Sequence, residues 1–276
     1  MANEAAPKRK RGRPRLSRPT EPQTVQALER GLLVLEALAR LGGATLSALS
    51  EQVGLPASTT HRLLATLHGH GMVGFDDSVQ EWSVGVGAFR IGSAYLVRTN
   101  LVDGSRRTLR DLMAKTGETA NLAILENAHI VYVSQVETQN PIRAFFRPGT
   151  RSQMHVSGIG KALMAAMARP DVEKILRATG LPGFTEKSLT TPEALFADLE
   201  RSAARGWALD DEEHYAGMRC VAAPIYNAFG EAFAGLSVSG PLARFGDGDL
   251  APIGEAVVEA AQTVTRLVGG RVPAAG

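Results

Sequence analysis

Between residues 25 and 84, the spacing of apolar residues and the placing of glycine and proline leave few folds open. Val25, Leu28, Leu32, Leu35 and Ala39 recur at intervals of three and four, the pattern that lines one face of a helix. Leu41-Gly42-Gly43 ends that run, because glycine tolerates the left-handed backbone of a helix stop. A short second helix fits residues 46–53, with Thr45 as its N-cap. Gly54-Leu55-Pro56 then breaks the chain. A third helix is predicted from about Ser58 to about His68, with Leu63, Leu64 and Leu67 as its apolar stripe and Gly69 and Gly71 as its stop. Two short extended segments follow, 72–75 and 81–84, around a polar turn. Three helices and a hairpin in this order match a winged helix-turn-helix.

In that arrangement the third helix projects into a DNA major groove while the second braces it. The face opposite its leucines carries Ser58, Thr59, His61, Arg62 and Thr66, short hydroxyls and long donors suited to phosphate oxygens and base edges. Arg62 is the residue best able to grip guanine with two hydrogen bonds. The plainer reading, an ordinary solvated helix face, stays open at this point.

The first 18 residues carry seven basic side chains against one acidic one, a charge of +6, which leaves −4 for the rest of a chain whose net charge is +2. A near-neutral body with a strongly basic, proline-rich end reads as a disordered arm that meets a polyanion. Lys8 to Arg15 read KRKRGRPR. Gly12 and Pro14 favour a narrow extended backbone, so that Arg11 and Arg13 can lie along an A·T minor groove, as in an AT-hook. The turn of the wing, Asp76-Asp77-Ser78-Val79-Gln80-Glu81, is acidic. Either it avoids the DNA backbone or it meets another part of the protein.

A length of 276 residues suggests two domains. Residues 86–98 and 101–117 look helical and provide a linker. Beyond them, strands are predicted at 119–125, 130–135, 142–146, 219–226 and 232–239, with helices at 158–168, 171–178, 192–205 and 247–268. This mixture points to an α/β or α+β sensor-like domain around one sheet. The lone Cys220 cannot form an internal disulfide, there is no apolar run long enough to span a membrane, and no apolar stretch follows the basic N-terminus. The expectation is a cytoplasmic protein without a membrane span or a secretory signal.

Several ordered segments resemble the IclR family of bacterial regulators, over roughly residues 24–268. Residues 25–32 (VQALERGL) look like its first helix, and 54–64 (GLPASTTHRLL) like its turn and recognition helix. Residues 155–162 (HVSGIGKA) are similar to the start of its sensor helix. Arg205-Gly206-Trp207, Asp210 to His214 and Gly217 to Cys220 are similar to its signature region, and 237–241 (SVSGP) to its last strand. The resemblance implies an α+β chain: a winged helix-turn-helix over 24–85, a linker helix over 86–100, and a GAF-like α/β effector-binding domain over 101–270, with the disordered arm over 1–23. It also implies double-stranded operator DNA and a small organic acid as partners, and homodimers or tetramers. The second half is most similar to glyoxylate-responsive members. There the effector is held by positions that correspond to Gly158 and Ile159 (backbone amides), Asp210, Cys220, Ser237 and Ser239.

Those residue types suit a small oxo-acid. Backbone N–H groups at a helix N-terminus attract a carboxylate. Ser237 and Ser239, two apart on a strand, point to one face. Asp210 can accept from a hydroxyl of a hydrated aldehyde, and Cys220 is a small group with a weak donor. An alternative is a cysteine-dependent hydrolase of a small acid derivative using Cys220, with His155 or His214 and Asp210. A metal site at Asp210, Asp211, Glu213 and His214 lacks any recognised ligand spacing. No cofactor and no metal are expected.

Overall fold

A computed structural model describes residues 24–99 and 101–273. The predicted arm, with Arg11 and Arg13, lies outside the described residues. The chain forms two compact units, one running to Ala94 and the other starting at Tyr95.

The first unit contains α1 (Gln26–Leu41), α2 (Leu46–Val53), α3 (Ala57–Gly69) and a hairpin of β1 (Val73–Asp76) and β2 (Glu81–Val84). Thr45 Oγ1 accepts from the Ala48 amide at 3.3 Å, the predicted cap of α2. The α1 stripe differs from expectation. Val34, Ala37 and Leu38 are the buried residues, together with Leu49 of α2, Leu64 of α3 and Val73 of β1, whereas Val25, Leu28 and Leu32 stand exposed. This helix is apolar on more than one side. Alanine on the inner face lets the neighbouring helices approach closely, so packing rather than periodicity chose the face. Trp82 locks the hairpin to the helices. It stacks at a tilt on Phe75 (4.7 Å) and meets the edge of His68 (5.9 Å). Its backbone also exchanges two hydrogen bonds with Ala44, at 2.8 and 3.0 Å. In the acidic turn, Asp76 accepts from the Ser78 amide (2.9 Å) and hydroxyl (2.6 Å), so this carboxylate builds the turn. The boundary between the units falls inside α4 (Val86–Thr99).

The second unit is a six-stranded antiparallel sheet covered on both faces. Its strands are β3 (Thr119–Glu126), β4 (His129–Val136), β5 (Arg151–Gln153), β6 (Ala208–Asp211), β7 (Met218–Tyr226) and β8 (Ala232–Pro241), in the order β5-β4-β3-β8-β7-β6. One face buries Leu122, Ile124, Val221, Ala223, Leu236 and Val238 against α5 (Leu101–Thr116) and α9 (Leu250–Leu267). The other presents Ala123, Tyr132 and Ala222 to α6 (Gly158–Ala165), α7 (Arg169–Thr179) and α8 (Pro192–Arg205). The alternation of Val221, Ala222 and Ala223 between faces is the period-two signature of a strand buried on both sides.

Two predicted elements are corrected. Residues 142–146 are not a strand. Ala144 is buried while Ile142, Arg143 and Phe145 are exposed, so their burial does not alternate as a strand's would. Among the described residues no strand pairs with them, and the edge strand beside β4 is β5, through His129, Ile130 and Val131. The predicted helix over 158–168 ends at Ala165, and α7 begins at Arg169. Strands β5 and β6 were not predicted; Asp210 and Asp211 look like turn residues, yet they pair with Cys220 and Arg219.

Candidate functional site

On α3, Ser58, His61, Arg62 and Thr66 are exposed, and Thr59 is half-buried. Thr60 and Leu64 anchor the opposite side in the core. The Thr66 hydroxyl donates to the Arg62 carbonyl at 3.0 Å, which leaves only its acceptor lone pairs for an outside group. Thr59, Arg62 and Thr66 also border a groove against Leu28 and Leu32 of α1. The exposed side of α3 thus carries polar side chains of the types that reach base edges and phosphates, beside an apolar groove along α1.

In the second unit, strand register gathers a polar patch on the sheet face toward α6. Asp210 on β6 pairs with Cys220 on β7, Cys220 with Ser239 on β8, and Ser239 with Thr119 on β3. The next row on that face holds Ala222, Ser237 and Asn121. Residues directly opposite on paired strands share a face, so the patch follows from topology. Asn121 Nδ2 donates to Ser237 Oγ (3.3 Å) and Ser239 Oγ (3.1 Å), and its Oδ1 accepts from Gln135 Nε2 (2.8 Å). Because both serine oxygens accept from Asn121, their protons are left to donate elsewhere.

The first turn of α6 comes down on this patch. Ser157 caps the helix, its hydroxyl accepting from the Gly160 amide at 3.3 Å. A Cβ at Gly158 would sit 2.9 Å from Cys220 Sγ and 3.0 Å from Cys220 O, and one at Gly160 would lie 2.3 Å from the Met154 carbonyl oxygen. Only glycine lets the helix start approach the sheet this closely. Gly158, Asp210, Cys220 and Ser239 line a cavity of about 250 Å³. Ile159 and Ser237 do not line it. Ile159 is fully buried, its side chain packed toward Gly235, and Ser237 stands behind the wall, held by Asn121.

The rest of the lining mixes aromatic and apolar side chains with Arg143, Ser157, His214 and Arg219; Arg143 is paired with Glu137, and Arg219 with Asp211 and Asp247. Tyr132 and Phe146 stack with parallel rings at 4.4 Å, and Tyr215 stands against His214 at 4.2 Å. Sequence reasoning missed these residues, and Asn121 with them. The signal for Asn121 was present: a polar side chain inside an otherwise apolar strand, the same signal that marks the serines.

Electrostatics sharpen the site. Burial, followed by the charge of Glu213, pushes the Asp210 carboxyl up to about 7, against backbone N–H groups of Glu213 and His214 and the charge of Lys161. Burial and Asp210 push the Cys220 thiol up to about 11, against the Ser239 and Ser237 hydroxyls and the Gly158 amide. Burial and then His155 hold His214 below the ordinary imidazole range. A thiol that keeps its proton is a poor nucleophile, which argues against the hydrolase alternative. Among the described residues, no His, Cys, Asp or Glu cluster is placed to hold a metal, and no helix is long and apolar enough to cross a membrane.

Residues 27–77 match the IclR helix-turn-helix domain, and residues 93–266 match the C-terminal domain of bacterial transcriptional regulators of the IclR type. The chain is 47% identical over 261 residues to the HTH-type transcriptional regulator BhcR of Paracoccus denitrificans, covering 93% of this chain and 94% of that protein. It is 40% identical over 256 residues to the transcriptional repressor IclR of Escherichia coli, covering 91% and 93%. The crystal structure of the Thermotoga maritima IclR superposes with a TM-score of 0.74 at 26% identity, covering 88% of this chain and 98% of that one. A helix-turn-helix unit with an exposed polar helix, an α/β unit with an enclosed polar patch, and these relatives over nearly the whole length lead to one conclusion: the chain belongs to the IclR family of DNA-binding transcriptional regulators.

Proposed function

We propose that this regulator senses a small oxo-acid, glyoxylate or a close relative, in the cavity under α6 and translates its binding into a change of operator affinity. The observation that carries the reading is that Gly158, Asp210, Cys220 and Ser239 all line one cavity of about 250 Å³. That volume is below the usual range for drug-sized ligands. The effector carboxylate meets the positive end of α6. Ser239 donates to it from the sheet, and Ser237 supports from behind. The Ile159 amide belongs to the same helix turn. Asp210, with its carboxyl near neutrality in titration, holds a proton to donate to the carbonyl of the anionic ligand, which also avoids like-charge repulsion.

On the DNA side, Ser58, Thr59, His61, Arg62 and Thr66 meet the major groove, and Arg11 and Arg13 of the arm meet the minor groove. In this reading residues 24–85 bind the operator, 86–100 link, and 101–270 sense, in a cytoplasmic homodimer or tetramer. The exposed Val25, Leu28 and Leu32 on α1 support self-association, since clustered apolar surface favours a partner. Two recognition helices at fixed half-site spacing make operator affinity sensitive to small changes in domain geometry, and linkage makes DNA alter effector affinity by the same factor. Fluorescence anisotropy on the chain's own upstream DNA, with glyoxylate, pyruvate, glycolate and an aromatic acid in parallel, tests the reading. Sequence-selective binding that shifts with glyoxylate is expected. Binding indifferent to all four acids defeats it.

A further inference from the structure

Behind the cavity lies an ion cluster that the proposed ligand contacts do not use. Lys161, on the second turn of α6, is completely buried. Its ammonium pairs with Glu213 and, at 2.9 Å, with Asp198 Oδ2 of α8. Asp198 also accepts from Arg201 at 3.0 Å. Glu213 is 5% exposed, and its Oε2 is buried with no hydrogen-bond partner among the described residues. Burying an ion pair costs so much desolvation that packed apolar residues serve stability as well or better. The cluster therefore needs an explanation other than holding the fold.

The geometry points to one: Glu213, clamped by Lys161, is a positioning residue that fixes how Asp210 presents its carboxyl to the cavity. Five hydrogen bonds carry this. The Glu213 amide donates to Asp210 Oδ1 at 2.8 Å. The Glu213 side chain reaches back along the same turn, where Oε1 accepts from Lys161 and from the Asp211 amide at 3.4 Å. Ser188 Oγ donates to the Glu213 carbonyl at 2.7 Å, and Thr185 Oγ1 to that of Glu212 at 2.7 Å. The turn after β6 is thus pinned at both its side chain and its backbone, and Asp210 cannot swing without breaking it. Burial pushes the Glu213 carboxyl up and Lys161 works against that shift, and the charge of Glu213 in turn opposes ionisation of Asp210. The other titratable groups around Asp210 are Lys161 on α6, His214 and Tyr215 after β6, Arg219 and Cys220 on β7, Tyr132 on β4, and Arg143 in the cavity wall. Of the two members of the pair, Glu213 acts more strongly on Asp210 than Lys161 does.

The deciding variant is Glu213→Gln. It keeps an oxygen for Lys161 and the Asp211 amide, removes the charge, and leaves Lys161 paired with Asp198. Two readouts on the full-length protein separate this inference from the effector reading on which its functional side rests. The first needs no ligand: the Asp210 carboxyl is followed by carbon-13 NMR across pH, assigned with Asp210→Asn. Its midpoint is expected to move to lower pH in Glu213→Gln. A midpoint at or above that of the wild type overturns the inference. The second is calorimetric titration with glyoxylate across pH, where the loss of affinity on the alkaline side is expected to begin at lower pH in the variant. If the wild type takes up no glyoxylate, the effector reading fails while the NMR midpoint still decides the role of Glu213. Should Glu213→Gln not fold, the double variant Lys161→Met/Glu213→Gln removes both charges of the pair together, and the same downward movement is expected. DNA affinity without effector stays at the wild-type value in either variant that folds.

Discussion

The two units place polar chemistry in opposite ways. In the helix-turn-helix unit, Ser58, His61, Arg62 and Thr66 stand outside a small apolar core. In the effector unit, Asn121, Ser237 and Ser239 are buried inside the fold, and Cys220 is nearly so. A duplex is a large polyanion and is met by an exposed face whose side chains stay solvated until contact. A small acid gains little area, so it must be enclosed by donors already in place. The difference teaches where each unit tolerates change: the first around its functional residues, the second hardly at all.

That contrast can be broken most severely at Gly160. A Cβ there would press on the Met154 carbonyl, backbone that cannot move aside, so Gly160→Ala is expected to cost about 3 kcal/mol or more. Denaturant unfolding with both units monitored should show the loss in the second. A cost below about 1 kcal/mol would mean the helix start is looser than its packing indicates. Next in size, Arg62→Ala is expected to weaken operator binding by about 1–3 kcal/mol while effector affinity in the absence of DNA stays level. Equal losses in both would erase the division of labour between the units.

Acidity tests the enclosed site alone. If Asp210 donates its proton to the ligand, effector affinity is flat below pH about 7 and falls about tenfold per pH unit above it. A rise with pH would make the carboxylate an acceptor instead. Smaller still, Ser239→Ala is expected to cost about 1 kcal/mol of effector binding, and Ser237→Ala less, because only Ser239 lines the cavity. The reverse order in calorimetry would exchange their roles. The smallest effect is expected in the first unit. Among the described residues, nothing lies within 4 Å of a Cβ built on Gly31 in α1, so Gly31→Ala should stabilise that unit by about 0.5–1 kcal/mol. A loss of stability there would show that the exposed side of α1 is in use.

The order and type of most elements were legible because they depend on near neighbours in sequence. Gly42 and Gly54 stop helices, Thr45 caps one, and β3, β7 and β8 lie where strands are predicted. The buried face of α1 was not legible, since its apolar arc is wider than the one face that packs and carries no pointer to its partner. Residues 142–146 are rich in apolar side chains but pair with no strand among the described residues, and β6 reads as a turn until β7 is beside it. The pocket residues Gly158, Asp210, Cys220 and Ser239 were reached through likeness to a family. Nothing local distinguishes them from a helix start, a turn, a core filler and a satisfied hydroxyl.

By itself, the sequence determined much of the local conformation: where most helices start and stop, that β3, β4, β7 and β8 are extended, and that one end of the chain is strongly basic. Backbone preferences and the spacing of apolar residues act over a few positions, so they are written in order along the chain. Only the tertiary structure decided that Asp210, Cys220 and Ser239 form one row, that Gly158 lies against it, and that Lys161 reaches Glu213. Strand register and close packing join residues far apart in sequence, and a carboxyl's affinity for its proton depends on what that packing puts beside it.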